Sequence, residues 1–179
     1  MRRAIFLDRD GVLNRAIVRD GKPYPPDSLA QLELTPGIEE LSRLKDLGFL
    51  LVVVTNQPDV ARGKQTRQAV EEIHRYIGAW VPIDFFRTCY HDDAENCTCR
   101  KPKPGLLTEA ADEYDIDLSG SYMVGDRWRD VDAGAAAGCR TVWIDYGYRE
   151  RGPTAPADAR VGNVCEAVRW IEKDSEQSK

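Results

Sequence analysis

Short apolar runs alternate with longer stretches of helical periodicity along almost the whole chain. The first run, Ala4 to Leu7, has the length and composition of a buried strand. Ile38, Leu41, Leu44 and Leu47 then recur every three residues, between Thr35-Pro36 and Gly48, which predicts a helix. "FLLVVVTN" (49–56) is a strand apolar on both faces and rich in β-branched residues. A helix starts near Thr66, with Val70, Ile73 and Ile77 on one side, and "DFFRTCY" (84–90) is the third strand. Pro104 opens a helix to about Tyr114, and "SYMVGD" (121–126) is the fourth strand. Asp130–Ala137 is a short helix closed by Gly138, and "RTVWID" (140–145) is the fifth strand. A last helix is expected over about Val164–Lys173, before a polar tail, "DSEQSK", expected to fray.

This alternation predicts an α/β fold: a three-layer, Rossmann-like parallel sheet of about five strands with helices on both faces. In such sheets ligands bind at the carboxyl ends of the strands. The one long irregular stretch, about 14–34, contains Asp20-Gly21, a hairpin-turn signal, and predicts a small β-flap over that end. No repeat or linker divides the 179 residues, so one domain without a large cap is expected.

Composition narrows the classes. A net charge of −5 with no compensating basic block argues against a nucleic-acid partner. No apolar run approaches the roughly 20 residues of a membrane span. The basic start, Met1-Arg2-Arg3, precedes too short an apolar run for a signal-peptide core, so a cytoplasmic location is expected. A monomer is expected as well, although no residue pattern sets the oligomeric state. In that reducing compartment Cys139 and Cys165 read as small packing residues. His74 lies in a helical pattern and reads as surface or packing.

The candidate chemistry lies where the strands end. The first delivers Asp8 and Asp10, the second Thr55 and Asn56, and the fourth Gly125 and Asp126; the loop after the third brings Arg100 and Lys101. Three carboxylates, a hydroxyl, an amide and two cations on one sheet edge suit phosphoryl transfer. One aspartate attacks phosphorus, and Mg²⁺ on the carboxylates eases the approach of anion to anion. Hydroxyl, amide and ammonium groups take up the phosphoryl charge, and the second aspartate moves the proton.

Asp8-Arg9-Asp10-Gly11-Val12 resembles the nucleophile motif D-x-D-G-[TV] of the haloacid dehalogenase-like phosphatases, and the resemblance runs in order from about residue 4 to 145. It implies Asp8 as nucleophile and Asp10 as general acid/base. It implies Mg²⁺ on the Asp8 carboxylate, the Asp10 carbonyl and Asp126, with Asp130 as a second acid orienting the metal shell. The set expected to hold a small phosphorylated substrate is Asp8, Asp10, Thr55, Asn56, Gln57, Arg100, Lys101 and Arg127. "FLDRDGVLN", "LVVVTNQ", "ARGK" and "CRKPKPG" are further similar to the heptose bisphosphate phosphatase subgroup, which histidinol-phosphate phosphatases share. There the arginine of C-R-K-P, here Arg100, contributes to substrate recognition.

Cys89, His91, Cys97 and Cys99 form a C-x-H…C-x-C set suited to a closed, structural, tetrahedral Zn²⁺ site; the subgroup carries a zinc loop at this position. Cys99 directly precedes Arg100 and Lys101, so fixing it fixes where those cations point. The chain departs from the subgroup's T-N-Q-S-G-I-A-R-G in having Pro58 and Asp59, an extra carboxylate that Arg62 or Lys64 has to offset. Three other readings are a histidinol-phosphate phosphatase, a 3′-phosphatase on nucleic-acid ends and a catalytically silent zinc-stabilised binding module.

Overall fold

A computed structural model describes residues 1–177 of the chain. Six parallel strands form the central sheet, in the order β5-β4-β1-β6-β7-β8. They are β1 (Arg3–Leu7), β4 (Phe49–Asn56), β5 (Phe85–Cys89), β6 (Tyr122–Gly125), β7 (Arg140–Ile144) and β8 (Ala159–Val161). The sequence predicts about five; the sixth, β8, is a three-residue edge strand with exposed Arg160 at its centre and Ala159 alone buried. That is too short to show a period.

The alternation of side chains sends each strand into two cores. Ile5 and Leu7 of β1 and Leu51 and Val53 of β4 pack with α1 (Ser42–Asp46), α2 (Arg67–Gly78) and α5 (Val164–Gln177) on one face. Ala4, Phe6, Val52 and Val54 pack with α3 (Gly105–Tyr114) and α4 (Trp128–Ala137) on the other. Thr66 caps α2, its hydroxyl accepting from Ala69 N at 3.1 Å. The segment predicted as one helix over 36–48 is a 3₁₀ turn, Ile38–Leu41, followed by α1. Its apolar spacing of three is the 3₁₀ period rather than the 3.6 of an α-helix. α5 runs on through Asp174 to Gln177, where fraying is expected from sequence; Ser178 and Lys179 lie outside the described residues.

The flap is a hairpin of β2 (Ile17–Arg19) and β3 (Lys22–Tyr24) turning at Asp20-Gly21, both with positive φ. Hydrogen bonds that hold it over the sheet include Arg149 N donating to the Gly21 carbonyl at 2.8 Å and, just past the hairpin, the Gln65 amide donating to the Asp27 carbonyl at 2.9 Å. Among the described residues no larger insertion interrupts the strand–helix alternation, and no helix is long and apolar enough to cross a membrane. β1 pairs with β4 on one side and β6 on the other, so the strand order reverses at β1 and a crevice opens beyond its carboxyl end.

Candidate active site

Asp8 is the first residue past β1, at the floor of that crevice, and its carboxylate accepts the Arg9 backbone N–H at 2.8 Å. Lys101 reaches it from the loop after β5, with Nζ 2.9 Å from Asp8, 2.7 Å from Asp130 and 2.7 Å from the Val54 carbonyl. Asp126, just past β6, and Asp130, in the first turn of α4, complete a cluster in which Asp8, Asp126 and Asp130 can each turn one oxygen towards a common point. All four side chains are buried. Gly11, at φ +91°, passes so close to Asp126 that a Cβ there would lie 1.9 Å from its carboxylate oxygen. Gly125 is equally tight against Asp130, at 2.1 Å. Two glycines therefore let the backbone close around the acids.

If all three ionised, three carboxylates would face one ammonium in a buried site, an excess of two negative charges. Burial, and then the Asp130 charge, push the Asp8 carboxyl up to about 7 against the pull of Lys101. Burial and the Asp8 and Asp130 charges push Asp126 well above the ordinary carboxylate range. Burial opposes the charge on Lys101, yet Asp130 and Asp8 hold it above its ordinary value. Neither oxygen of Asp126 makes a well-directed hydrogen bond, although the Tyr148 hydroxyl bears on the carboxylate. Unpartnered buried oxygens and a deficit of two charges fit a divalent cation held by oxygen ligands.

Asp10 stands at the lip of the crevice, held by the Arg9 guanidinium, by Asn14 Nδ2 at 3.0 Å and by Gln57 Nε2 at 2.8 Å. Gln57 also donates to Thr55 Oγ1 at 3.0 Å. Asn56 clamps the Lys101 backbone, accepting its N–H at 3.1 Å and donating to its carbonyl at 3.0 Å. The side-chain amides of Asn56 and Gln57, expected from sequence on the phosphoryl group, are thus engaged in orienting Lys101 and Asp10. Arg127 lines the cleft but pairs with Glu150, which sequence reasoning did not single out. Arg9 and Asn14 were missed as well; the period of the strand says nothing about residues beyond its end.

Above these groups lies a cleft of about 280 Å³, walled by Lys22 and Tyr24 of the flap, Arg62, Lys64, Arg100 and Arg129. Three of its arginines are tethered to two acids of the cysteine loop. Asp92 takes Arg62 at 2.6 Å, and Asp93 takes Arg100 at 2.8 Å and Arg129 at 3.6 Å. Arg62 also reaches Asp59 at 3.3 Å, which supplies the offset that Asp59 requires. In that loop the separations are 3.6 Å for Cys89 Sγ–His91 Nδ1, 3.7 Å for Cys89–Cys97, 3.5 Å for Cys97–Cys99 and 3.3 Å for His91–Cys99. A tetrahedron with Zn–S and Zn–N arms of ordinary length has edges of about 3.6–3.8 Å. The four ligand atoms therefore fit a metal ion with no open position. His74 is buried, stacked on Phe86 at 4.6 Å, which settles it as packing rather than surface.

A parallel sheet with its acids gathered past β1 and β6 and a lysine between them defines a haloacid dehalogenase-like hydrolase, and the family model described as HAD-hydrolase-like matches residues 98–170. A D-glycero-β-D-manno-heptose-1,7-bisphosphate 7-phosphatase from Pasteurella multocida is 39% identical over 161 residues, covering 82% of this chain and 84% of the relative. One of the same name from Pseudomonas aeruginosa is 33% identical, over 82% and 83%. The crystal structure of the D,D-heptose 1,7-bisphosphate phosphatase from B. bronchiseptica, complexed with magnesium and phosphate, superposes with a TM-score of 0.82. It is 28% identical and covers 96% of this chain and 99% of its own. The chain belongs to the D-glycero-β-D-manno-heptose-1,7-bisphosphate 7-phosphatase family of the haloacid dehalogenase-like phosphatases.

Proposed function

We propose that this protein is a Mg²⁺-dependent phosphatase that removes the 7-phosphate of D-glycero-D-manno-heptose 1,7-bisphosphate through a phosphoaspartyl intermediate on Asp8. The observation that carries the reading is the buried Asp8–Lys101–Asp130–Asp126 cluster, two charges short of balance, beneath a cleft walled by cations. Asp8, the Asp10 carbonyl and Asp126 would hold Mg²⁺, with Asp130 orienting that shell and fixing Lys101. An ion bound there would neutralise charge on the phosphoryl oxygens and on the nucleophile. Asp8 attacks phosphorus while Asp10 protonates the departing sugar oxygen; Asp10 then deprotonates the water that hydrolyses the acyl phosphate. Thr55, near the end of β4, and Lys101, in the loop after β5, steady the phosphoryl group. Phosphate release with Mg²⁺ from the heptose bisphosphate should exceed that from histidinol phosphate. The reverse preference would move the protein to the neighbouring substrate class. Release from neither would end the phosphatase reading and favour a silent binding module.

Arg100 belongs to recognition. Arg100 lines the cleft beside Lys101 with its guanidinium held by Asp93, and a charged hydrogen bond lost there is worth about 1.5–3 kcal/mol. Arg100→Ala should lower kcat/KM for the bisphosphate by about tenfold to a hundredfold, and for p-nitrophenyl phosphate by no more than about threefold. Equal losses on the two substrates would remove Arg100 from recognition.

The Cys89–Cys99 set is proposed to hold one structural zinc. Because Asp92 and Asp93 lie within that loop, its order sets the positions of Arg62, Arg100 and Arg129. Elemental analysis should find about one zinc per chain, as four-ligand sites hold. Cys97→Ser should lose the zinc and most bisphosphate activity, without recovery on added Mg²⁺, while the sheet keeps its circular dichroism. A fully active protein without zinc would refute the role.

A further inference from the structure

Arg9, the variable position of the D-x-D motif, is the largest fully buried side chain among the described residues. A guanidinium with no exposure is tolerated only when its donors are answered. Two of its nitrogens answer to Asp10: Nε lies 3.1 Å from Oδ1, and Nη2 lies 2.9 Å from Oδ1 and 3.1 Å from Oδ2. The third, Nη1, points the other way, 3.5 Å from His74 Nε2. His74 sits on α2 with its ring flat against Phe86 of β5, the planes 16° apart. Burial, and then the Arg9 charge, push its pKa down to about 3, so the ring is neutral and Nε2 accepts when the proton is on Nδ1. A chain of contacts therefore runs from α2 through Arg9 to a carboxylate that is itself 15% exposed at the cleft.

We propose that Arg9 is a positioning residue of the proton shuttle, fixing the plane of the Asp10 carboxylate, whose oxygens Asn14 and Gln57 also hold, while His74 holds the far end of its guanidinium. The proposal rests on the phosphatase reading above. The terminal torsion of an aspartate is broad and two-fold, so a lone Asp10 would sweep its oxygens through many directions. A two-pronged arginine pair is planar and removes that freedom, which a lysine point charge does not. Orientation matters in the first half-reaction: the Asp10 proton passes to the ester oxygen as its bond to phosphorus breaks and the bond from phosphorus to Asp8 forms. In the second half-reaction the carboxylate takes a proton from water as that water's oxygen bonds to phosphorus and releases Asp8.

The test separates positioning from simple structural support through the leaving group. A sugar alkoxide needs the proton, whereas p-nitrophenolate departs with little help. kcat/KM reports the chain of events up to transfer onto Asp8, so it isolates the first half-reaction. Arg9→Met should lower kcat/KM for heptose bisphosphate by roughly a hundredfold, as loss of a general acid does. For p-nitrophenyl phosphate the loss should be about threefold or less. Arg9→Lys should follow in the same direction with a smaller ratio. His74→Phe, which keeps the stack on Phe86 and removes only the acceptor, should give a smaller ratio still and keeps the test alive if Arg9→Met does not fold. In an Asp10→Asn background, Arg9→Lys should leave the ratio of the two substrates unchanged. Equal losses on both substrates, or a further change in the Asp10→Asn background, would overturn the proposal. Wild-type protein inert towards both substrates would instead overturn the phosphatase reading itself.

Discussion

Replacing Asp8 by asparagine abolishes turnover while leaving a protein that folds at least as well as the parent at neutral to alkaline pH without Mg²⁺. The loss of activity follows because an amide is a poor nucleophile and a weaker ligand for a hard cation. The gain in stability follows from the site's own electrostatics. The Asp8 carboxyl is raised from its ordinary 3.8 to about 7, chiefly by burial and by Asp130. A carboxyl whose folded pKa lies above its unfolded value supports the fold while protonated. That support fades as pH rises from about 4 through 7. Asparagine cannot ionise, so that component of the pH dependence disappears. Chemical denaturation at pH 5 and pH 8 without Mg²⁺ reads the stability, and beryllium fluoride trapping reads the nucleophile. Wild type should form an adduct on Asp8, and the variant none. Substantial turnover by correctly folded Asp8→Asn would exclude the covalent mechanism.

Lys101→Met should be the most damaging single change to the fold around the site. Its ammonium is the buried counter-charge to both Asp8 and Asp130, and methionine leaves three acids facing one another. Removing one partner of a buried ion pair costs about 3–5 kcal/mol. Turnover should fall at least about a hundredfold, as when a donor to developing transition-state charge is lost. The test lies in the metal dependence. The variant should be stabilised by Mg²⁺ more than wild type is, because three unbalanced carboxylates attract the ion more strongly. Saturation to a hundred times the dissociation constant is worth about 2.7 kcal/mol. Denaturation curves of both proteins with and without Mg²⁺ measure this directly. A variant whose stability is indifferent to Mg²⁺ would argue against a divalent ion among Asp8, Asp126 and Asp130.

Strands reveal themselves in sequence where both faces are buried. Phe49–Asn56 reads as a strand from its first residue to its last for that reason. β8 lacks the signal, because an edge strand of three residues with one buried side chain has no period to show. The acids are legible since the chemistry requires them at strand ends, and Asp8, Asp126 and Lys101 do converge. What sequence does not show is which polar side chain faces ligand and which faces protein. Asn56 and Gln57 sit beside Thr55 in the chain, yet one side chain turns to the Lys101 backbone and the other to Asp10. Arg9 lies between two acids and carries no local signal of burial; only the packing of α2 and β5 beneath β1's end makes it interior. The pairing of Asp92 and Asp93 with three arginines across two loops is likewise a tertiary fact, without any local pattern.

The flap's attachment has a kinetic meaning. Its two strands pair only with each other, and their side chains contribute nothing to either core. The contacts from Arg149 and Gln65 are ordinary neutral hydrogen bonds, each worth about 1 kcal/mol net. Opening of this order leaves the lifted hairpin populated at the level of a few per cent, with the sheet beneath undisturbed. Amides of residues 17–24 should therefore exchange with solvent deuterium long before those of β1 and β4. Sugar and phosphate can then come and go by a local breathing motion, with no domain to swing aside.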